Sequence, residues 1–194
     1  MTKKWFKLSN LLNGLFFAGV LVLIFNPSAK ALMIQGMMKV GLFQPDIIKP
    51  VSKAAAKPGL PDVLFQSTDG RTIHLAEQKG KVVFINFWAT WCPPCIAEMP
   101  SINGLYEKLK NNKNVVFIIV DADHNFQKSM PFMTKRKFTM PLYQLASGVP
   151  ESLVSNSIPT TTIIDKNGQI VFHQAGSADY SNPKILEYLN RISK

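Results

Sequence analysis

The sequence predicts an α/β domain that follows an N-terminal membrane segment. Three observations support this fold class: a basic and then apolar N-terminus, strand patterns that alternate with helical patterns after Gly59, and two hairpin patterns. The chain has 194 residues, enough for one ordinary domain and an appendage, and its hydrophobic fraction of 46% is sufficient for a core.

The N-terminus has the pattern of an export signal. Three lysines precede an apolar run from Leu11 to Phe25. Residues 1–31 could be a signal peptide cleaved after Ala31, which would leave a soluble periplasmic or secreted protein, or a retained signal-anchor helix; we favour the anchor. Lysines before a span favour an N-in orientation, with the domain on the periplasmic side and the lipid bilayer as a partner of this segment.

Two segments separate this region from the domain. Residues 32–43 are apolar and rich in methionine, with Gln35 and Lys39 four positions apart. They predict a helix on the bilayer surface or, alternatively, a helix packed on the domain. Residues 44–61 contain four prolines and three lysines and predict a tether. We therefore expect an amphipathic segment and tether over 32–59 and a globular domain over 60–194.

The positive charge belongs mostly to the N-terminal part. Of the formal net charge of +10, residues 1–57 contribute eight lysines and one aspartate, and the remainder mixes both signs. A nucleic-acid-binding domain would instead spread Lys and Arg over a folded face. Nucleic acid is therefore excluded as an expected partner.

The first half of the domain predicts a hairpin, a strand, a helix and a second strand. The hairpin joins Val63–Phe65 to Thr72–Leu75 through an Asp-Gly turn. The β-branched and aromatic run Val82–Trp88 predicts a strand buried on both faces. Apolar residues at helical spacing from Ile96 to Leu109 predict a helix, and Val115–Val120 predicts another buried strand.

The second half predicts smaller elements and a closing helix. Phe126–Phe138 is expected to form a helix that Pro131 bends or delays. A short strand over 140–146 and a short helix over Glu151–Ser155 follow. Residues 160–165 and 169–174 flank an Asn-Gly turn and predict a hairpin. Pro183–Ile192 predicts the last helix.

The only two cysteines, Cys92 and Cys95, are separated by two prolines. A structural zinc site needs about four ligands, and the three histidines are scattered over different predicted elements. A stabilising disulfide should close a long loop, whereas this pair would enclose two residues. A reactive dithiol is therefore the favoured interpretation of the three.

The position of the pair favours chemistry at its first member. It lies where a buried strand turns into a helix, and the helix N-terminus stabilises a thiolate. Cys92 is the expected nucleophile. Pro93 and Pro94 lack N–H groups, so the donors that could face the Cys92 sulfur begin with the amides of Cys95 and Ile96. Cys95, one turn into the helix, is expected to be more buried and to resolve the mixed disulfide.

The stretch FINFWATWCPPC followed by IAEMP resembles the thioredoxin superfamily, and within it the TlpA/ResA-like branch of membrane-anchored thiol-disulfide oxidoreductases. The resemblance covers about Leu60 to Lys194. It implies a thioredoxin-like fold, in which helices flank a central mixed β-sheet that begins with an N-terminal hairpin. It also implies a cis Pro159 opposite the disulfide. The residues expected to bind the substrate are Trp91, Pro93, Pro94, Ile158 and Pro159.

The resemblance also implies a role for Glu98. Thioredoxins carry a buried Asp six residues before the first cysteine, where this chain has Asn86. The TlpA/ResA-like branch tends to place a Glu three residues after the second cysteine, which is Glu98. A proton-transfer role for Glu98 is the implied function. The alternative is a solvated Glu that complements the helix dipole.

The expected function is that of an extracytoplasmic reductase. It would accept electrons from a membrane electron-donor protein and reduce disulfides in exported client proteins, apocytochrome c among them, without a cofactor or metal. A disulfide oxidant or isomerase is the enzymatic alternative, and a non-enzymatic redox sensor or binding module is the other. A peroxidase is disfavoured because Thr90 lies only two residues before Cys92.

Overall fold

The computed structural model describes residues 2–43, 45 and 62–194 of the chain. The predicted tether, residues 44–61, lies outside the described residues except for Pro45. Two helices precede the tether, and a domain of strands and helices follows it.

The elements follow the predicted order closely. The α-helices are α1 (Thr2–Phe25), α2 (Pro27–Lys39), α3 (Pro93–Leu109), α4 (Phe126–Lys135) and α5 (Pro183–Ile192). A 3₁₀ turn spans Ala76–Gln78. The strands are β1 (Leu64–Ser67), β2 (Thr72–His74), β3 (Val82–Trp88), β4 (Val115–Asp121), β5 (Leu142–Leu145), β6 (Thr160–Ile164) and β7 (Ile170–Ala175).

The seven strands form one mixed sheet in the order β2-β1-β5-β4-β3-β6-β7. Strand β3 lies parallel to β4 and antiparallel to β6, and β4 lies parallel to β5. The hairpin β1–β2 joins the sheet through an antiparallel pairing of β1 with β5. This mixed sheet with helices packed against it is the architecture that the resemblance implied, so the fold prediction is confirmed.

Strand β3 is buried along its whole length, as its apolar run predicted. Phe84 and Trp88 point into a core cluster shared with α3, α4 and α5. Ile85 and Phe87 point into a second cluster, formed by strands and connecting segments. A strand with two buried faces places whatever follows its carboxyl end at a fixed position.

Most strands differ from their predicted bounds by one or two residues at an end, and two helices differ more. The short helix expected over Glu151–Ser155 is a single turn, closed by a bond from the Leu153 amide to the Pro150 carbonyl. Five residues are too few to offset the cost of helix nucleation. Helix α4 ends at Lys135 rather than Phe138, because Lys137 adopts a left-handed φ of 57° and the Phe138 amide bonds back to Met133.

The N-terminal segment forms two helices that meet at Asn26. Within α1, the window Leu8–Phe25 has the length and composition to cross a membrane, and none of it is buried in the structure. Asn26 accepts hydrogen bonds from the amides of Ser28 and Ala29 and so caps α2.

Helix α2 is packed on the domain, which was the alternative prediction for residues 32–43. Ala31 and Met38 are buried in a cluster with Ile96 and Ala97 of α3. Because α3 also carries the cysteine pair, the N-terminal segment contacts the helix on which the site is built.

The packing of α2 predicts unequal effects of two neighbouring methionines. Met38 is 4% exposed and Met37 is 39% exposed. We expect Met38→Ala to lower the free energy of unfolding by about 2 kcal/mol, because it removes buried apolar contacts. Met37→Ala, the matched control, should change it by less than about 0.5 kcal/mol. Urea denaturation of the full chain in mild detergent measures both, and equal small effects would show that α2 is not docked.

Candidate active site

The cysteine pair lies at the junction of β3 and α3. Cys92 is the N-cap of α3, and its sulfur accepts the Cys95 amide at 3.3 Å. Pro93 and Pro94 occupy the first helical positions. An N–H group there has no acceptor within the helix, so proline costs no hydrogen bond. The expectation that the Ile96 amide also faces this sulfur was wrong, because it donates to the Cys92 carbonyl at 3.0 Å and closes the first helical turn instead.

Cys92 and Cys95 form a disulfide. Cys95 is fully buried, and Cys92 is 3% exposed. The Cys92 sulfur lies 3.8 Å from the Ile158 carbonyl oxygen. The Ile158–Pro159 peptide bond is cis, as the resemblance implied. The loop before β6 thus lies next to the disulfide through Ile158.

The surface around the disulfide is formed by several of the predicted substrate-binding residues. Trp91 is 59% exposed, and its indole Nε1 donates to Asp123 Oδ2 at 2.7 Å. Pro93, Pro94 and Ile158 are half-buried, whereas Pro159 is buried. An exposed, anchored aromatic ring next to the disulfide offers an apolar contact to a docked chain.

Glu98 lies one turn beyond Cys95 on α3 and is fully buried. Its Oε1 accepts Asn86 Nδ2 at 2.8 Å, and its Oε2 accepts the Ala178 amide at 3.2 Å. The alternative of a solvated Glu at the helix surface was therefore wrong. Residues three apart on a helix are neighbours, so this carboxyl group is on the side of α3 that carries Cys95.

Burial raises the pKa of Glu98 to about 8, although the hydrogen bonds from Asn86 and the Ala178 amide oppose the shift. Neutral donors compensate a buried carboxylate only in part, and no cation among the described residues is bonded to Glu98. The carboxyl group is thus mostly protonated near neutral pH.

Asn86 connects the carboxyl group to the sheet, a role that the sequence did not reveal. Its Nδ2 also donates to Thr161 Oγ1 on β6 at 2.9 Å, so both hydrogens of the amide group are used. The resemblance identified Asn86 only as the position where thioredoxins carry a buried Asp. The available signal was a polar residue inside the apolar run VVFINFW, since buried polar groups need partners.

Among the described residues, no group of three or more His, Cys, Asp or Glu side chains is arranged to hold a metal ion. His173 bonds Thr162 Oγ1 through its Nδ1, and His74 lies 3.5 Å from Asp62. Each of these histidines is thus engaged away from the cysteine pair.

The sheet order and the disulfide together define the class of protein, a thiol-disulfide oxidoreductase of thioredoxin fold. The sequence profile of the Redoxin family matches residues 53–189. Thiol-disulfide oxidoreductase ResA of Bacillus cereus is 30% identical over 182 residues, which are 93% of this chain and 98% of that protein. The chain belongs to the redoxin family and is a TlpA/ResA-like member of the thioredoxin superfamily.

Solved structures agree with this assignment. A candidate thiol-disulfide oxidoreductase from Bacteroides vulgatus superposes with a TM-score of 0.58 at 29% identity, covering 73% of this chain and 99% of that one. A candidate protein disulfide isomerase from Bacteroides thetaiotaomicron gives a TM-score of 0.60 at 26% identity, covering 69% and 87%. Thiol-disulfide exchange is therefore the activity of this class of protein.

The buried carboxyl group predicts a specific dependence of stability on pH. Because the folded pKa of about 8 lies above the ordinary 4.5, the folded protein keeps a proton that the unfolded chain releases between these values. The free energy of unfolding of the oxidised protein should thus contain a contribution from Glu98 that is full below pH 4.5. This contribution falls by up to about 1.4 kcal/mol per pH unit towards pH 8.

Glu98→Gln isolates this contribution, because the other titrating groups are common to both proteins and the disulfide does not titrate. The unfolding free energy of the parent minus that of the variant, from urea midpoints across this pH range, should fall steadily as pH rises towards 8. Glu107→Gln removes an exposed carboxyl group whose pKa is lowered by its bond to Lys110, and should leave the Glu98 contribution in place. Parallel pH curves for the parent and Glu98→Gln would contradict a raised pKa.

Proposed function

We propose that this protein reduces disulfides in exported proteins by dithiol–disulfide exchange at Cys92 and Cys95, with Glu98 as the proton-transfer group. The observation that supports this most directly is the buried Glu98 carboxyl group with a pKa of about 8, one helical turn from Cys95. A thiol has an ordinary pKa of about 8.5, so a proton passes between the two groups at little cost.

The proposed cycle starts from the reduced protein. The Cys92 thiolate, stabilised by the Cys95 amide and the helix N-terminus, attacks a client disulfide and displaces one client thiolate. The Cys95 thiol then loses its proton to the ionised form of Glu98, and the resulting Cys95 thiolate attacks the Cys92 sulfur. The products are the Cys92–Cys95 disulfide and a client with two thiols. Two electrons have moved to the client, whose two displaced thiolates take their protons from water, while the Cys95 proton remains on Glu98.

A second dithiol must return the protein to its reduced form. We propose a membrane electron-donor protein for this step, since exchange with its dithiol is the same reaction in reverse. Glu98 would then return its proton to Cys95. The clients are disulfide-containing exported proteins. Apocytochrome c is a specific candidate, because its Cys-X-X-Cys-His haem-attachment motif holds two cysteines that can form a disulfide.

The proposed location is the membrane, with the domain outside the cytoplasm. The window Leu8–Phe25 is long enough to span, and the lysines before it favour an N-in orientation. The packing of α2 favours retention of the anchor over cleavage after Ala31. Ala31 is 1% exposed against α3, and cleavage there would divide α2 and remove its capped first turn.

A disulfide isomerase is the second candidate, favoured by the Bacteroides thetaiotaomicron neighbour whose name carries that activity. The reduction potential of the domain separates the two, since a reductant requires a potential below that of its client. A redox sensor would differ from both, because it would stop after one equivalent of substrate.

The roles of the two cysteines predict opposite outcomes for their alanine variants. Cys95→Ala should accumulate a mixed disulfide between Cys92 and a model disulfide substrate, because nothing resolves it, while Cys92→Ala should accumulate none. The parent should reduce many equivalents per molecule with a chemical reductant present. Non-reducing gels and a turnover assay measure these outcomes. A trap formed by Cys92→Ala alone would reverse the assignment, and a parent that stops at one equivalent would indicate a sensor.

The proton-transfer role predicts slower exchange without the carboxyl group. Glu98→Gln should slow substrate reduction by about 10²-fold and alter its pH profile, within the usual range for general acid–base steps. Stopped-flow kinetics from acidic to alkaline pH measure both properties.

The hydrogen bond between Asn86 and Glu98 allows a rescue experiment. Adding Asn86→Asp to Glu98→Gln exchanges the carboxyl and amide groups across one bond, and we expect partial recovery of the rate. Glu107→Gln should match the parent, because Glu107 is on the exposed part of α3. A Glu98→Gln variant with the parent's rate and pH profile would remove Glu98 from the mechanism.

A further inference from the structure

Helix α2 and the turn after it expose an apolar face on the side away from α3. The exposed fractions in this outer face are 66% for Leu32, 55% for Met33, 39% for Met37, 75% for Val40 and 64% for Leu42. A helix packed on a soluble domain normally presents polar side chains outward. The outer face of α2 therefore needs an apolar covering.

The opposite face of α2 is held on the domain at three places. Along the length of α2, Ala31 and Met38 are buried against α3. At the start of α2, Nη2 of Arg136, the residue after α4, donates to Ser28 Oγ at 2.9 Å. Beyond its end, the Asp179 amide donates to the Phe43 carbonyl at 2.8 Å. Because of these contacts, α2 cannot rotate its exposed apolar residues inward without losing its packing on α3.

Helix α2 starts where the candidate membrane span ends. Only Asn26 separates the two helices. The Asn26 amide bonds the Val22 carbonyl, and the Asn26 carbonyl accepts the Lys30 amide. If α1 crosses the bilayer, this junction places α2 at the level of the lipid headgroups. Lys30 and Lys39, near the two ends of α2, supply cations suited to anionic headgroups.

We propose that α2 lies in the lipid–water interface, with its outer face inserted among the lipids and its inner face holding α3. The helix thereby fixes the catalytic domain on the bilayer surface, beyond what a flexible tether after α1 would do. Packed helices lie about 8–10 Å apart, so the active-site helix would be one helix layer from the membrane. This proposal rests on the membrane location of α1 proposed above, but not on the chemistry of the cysteines.

Photo-crosslinking of the full chain in lipid vesicles tests the proposal. The photoreactive residue p-benzoylphenylalanine is placed singly at three positions, and the protein is reconstituted in phosphatidylcholine with a minority of phosphatidylglycerol. Met33 reports on the outer face of α2, and Phe16 reports on insertion of α1. Asn167, exposed in the β6–β7 turn, is the negative control. The Lys166 carbonyl bonds the Gly80 amide, so this turn lies near the start of β3, away from the cysteines.

We expect lipid adducts at Phe16 and at Met33, with about tenfold less at Asn167, as measured by mass spectrometry of peptides. Adducts at Phe16 without adducts at Met33 would overturn the interfacial helix and leave the anchor intact. A crosslinked dimer at Met33 would show that a second copy covers the outer face. The absence of lipid adducts at both positions would overturn the anchor as well.

Val40 provides a second position on the outer face, in case the change at Met33 prevents folding. It lies beyond the last residue of α2 and is the most exposed of the set, so its substitution disturbs little packing. Disulfide reduction by each photoreactive protein before illumination verifies the fold. Lipid adducts at neither Met33 nor Val40 in active protein would reject the proposal.

Discussion

The hydrogen bond between Asn86 and Glu98 connects the parts of this protein on which the site depends. It ties β3, the most buried strand, to α3, whose first turn holds the cysteines. Through Thr161 it also reaches β6, which starts directly after the cis-proline. Burial of the same carboxyl group raises its pKa to about 8, although the hydrogen bond from Asn86 opposes this shift. Structural support and acid–base chemistry thus depend on one pair of side chains.

Helix α3 is enclosed on two sides, which explains its apolar first turns. Cys95 and Met99 belong to the core cluster shared with the sheet, whereas Ile96 and Ala97 belong to the cluster with α2. Without α2, these two side chains would be exposed beside the active site. The N-terminal segment therefore covers the face of α3 that carries Ile96 and Ala97.

The site separates the exposed surface beside the disulfide from the buried carboxyl group beneath it. Trp91 and the two prolines lie on the outer side of the disulfide, where we propose that a client chain docks. Cys95 and Glu98 lie beneath it and are fully buried. This arrangement allows an exposed surface to vary with the client while the buried pair keeps its geometry, since buried groups are fixed by close packing.

The sequence by itself determined the elements of the domain and the location of the cysteine pair, because strand and helix periodicity and turn residues are local properties. Strand β3 and helix α5 have the predicted bounds. The docking of α2 and the burial of Glu98 were decided only by the tertiary structure. Both depend on side chains distant in sequence, such as Met38 beside Ile96 and Glu98 beside the Ala178 amide. A helical pattern shows which residues share a face, but what covers that face depends on how the whole chain packs.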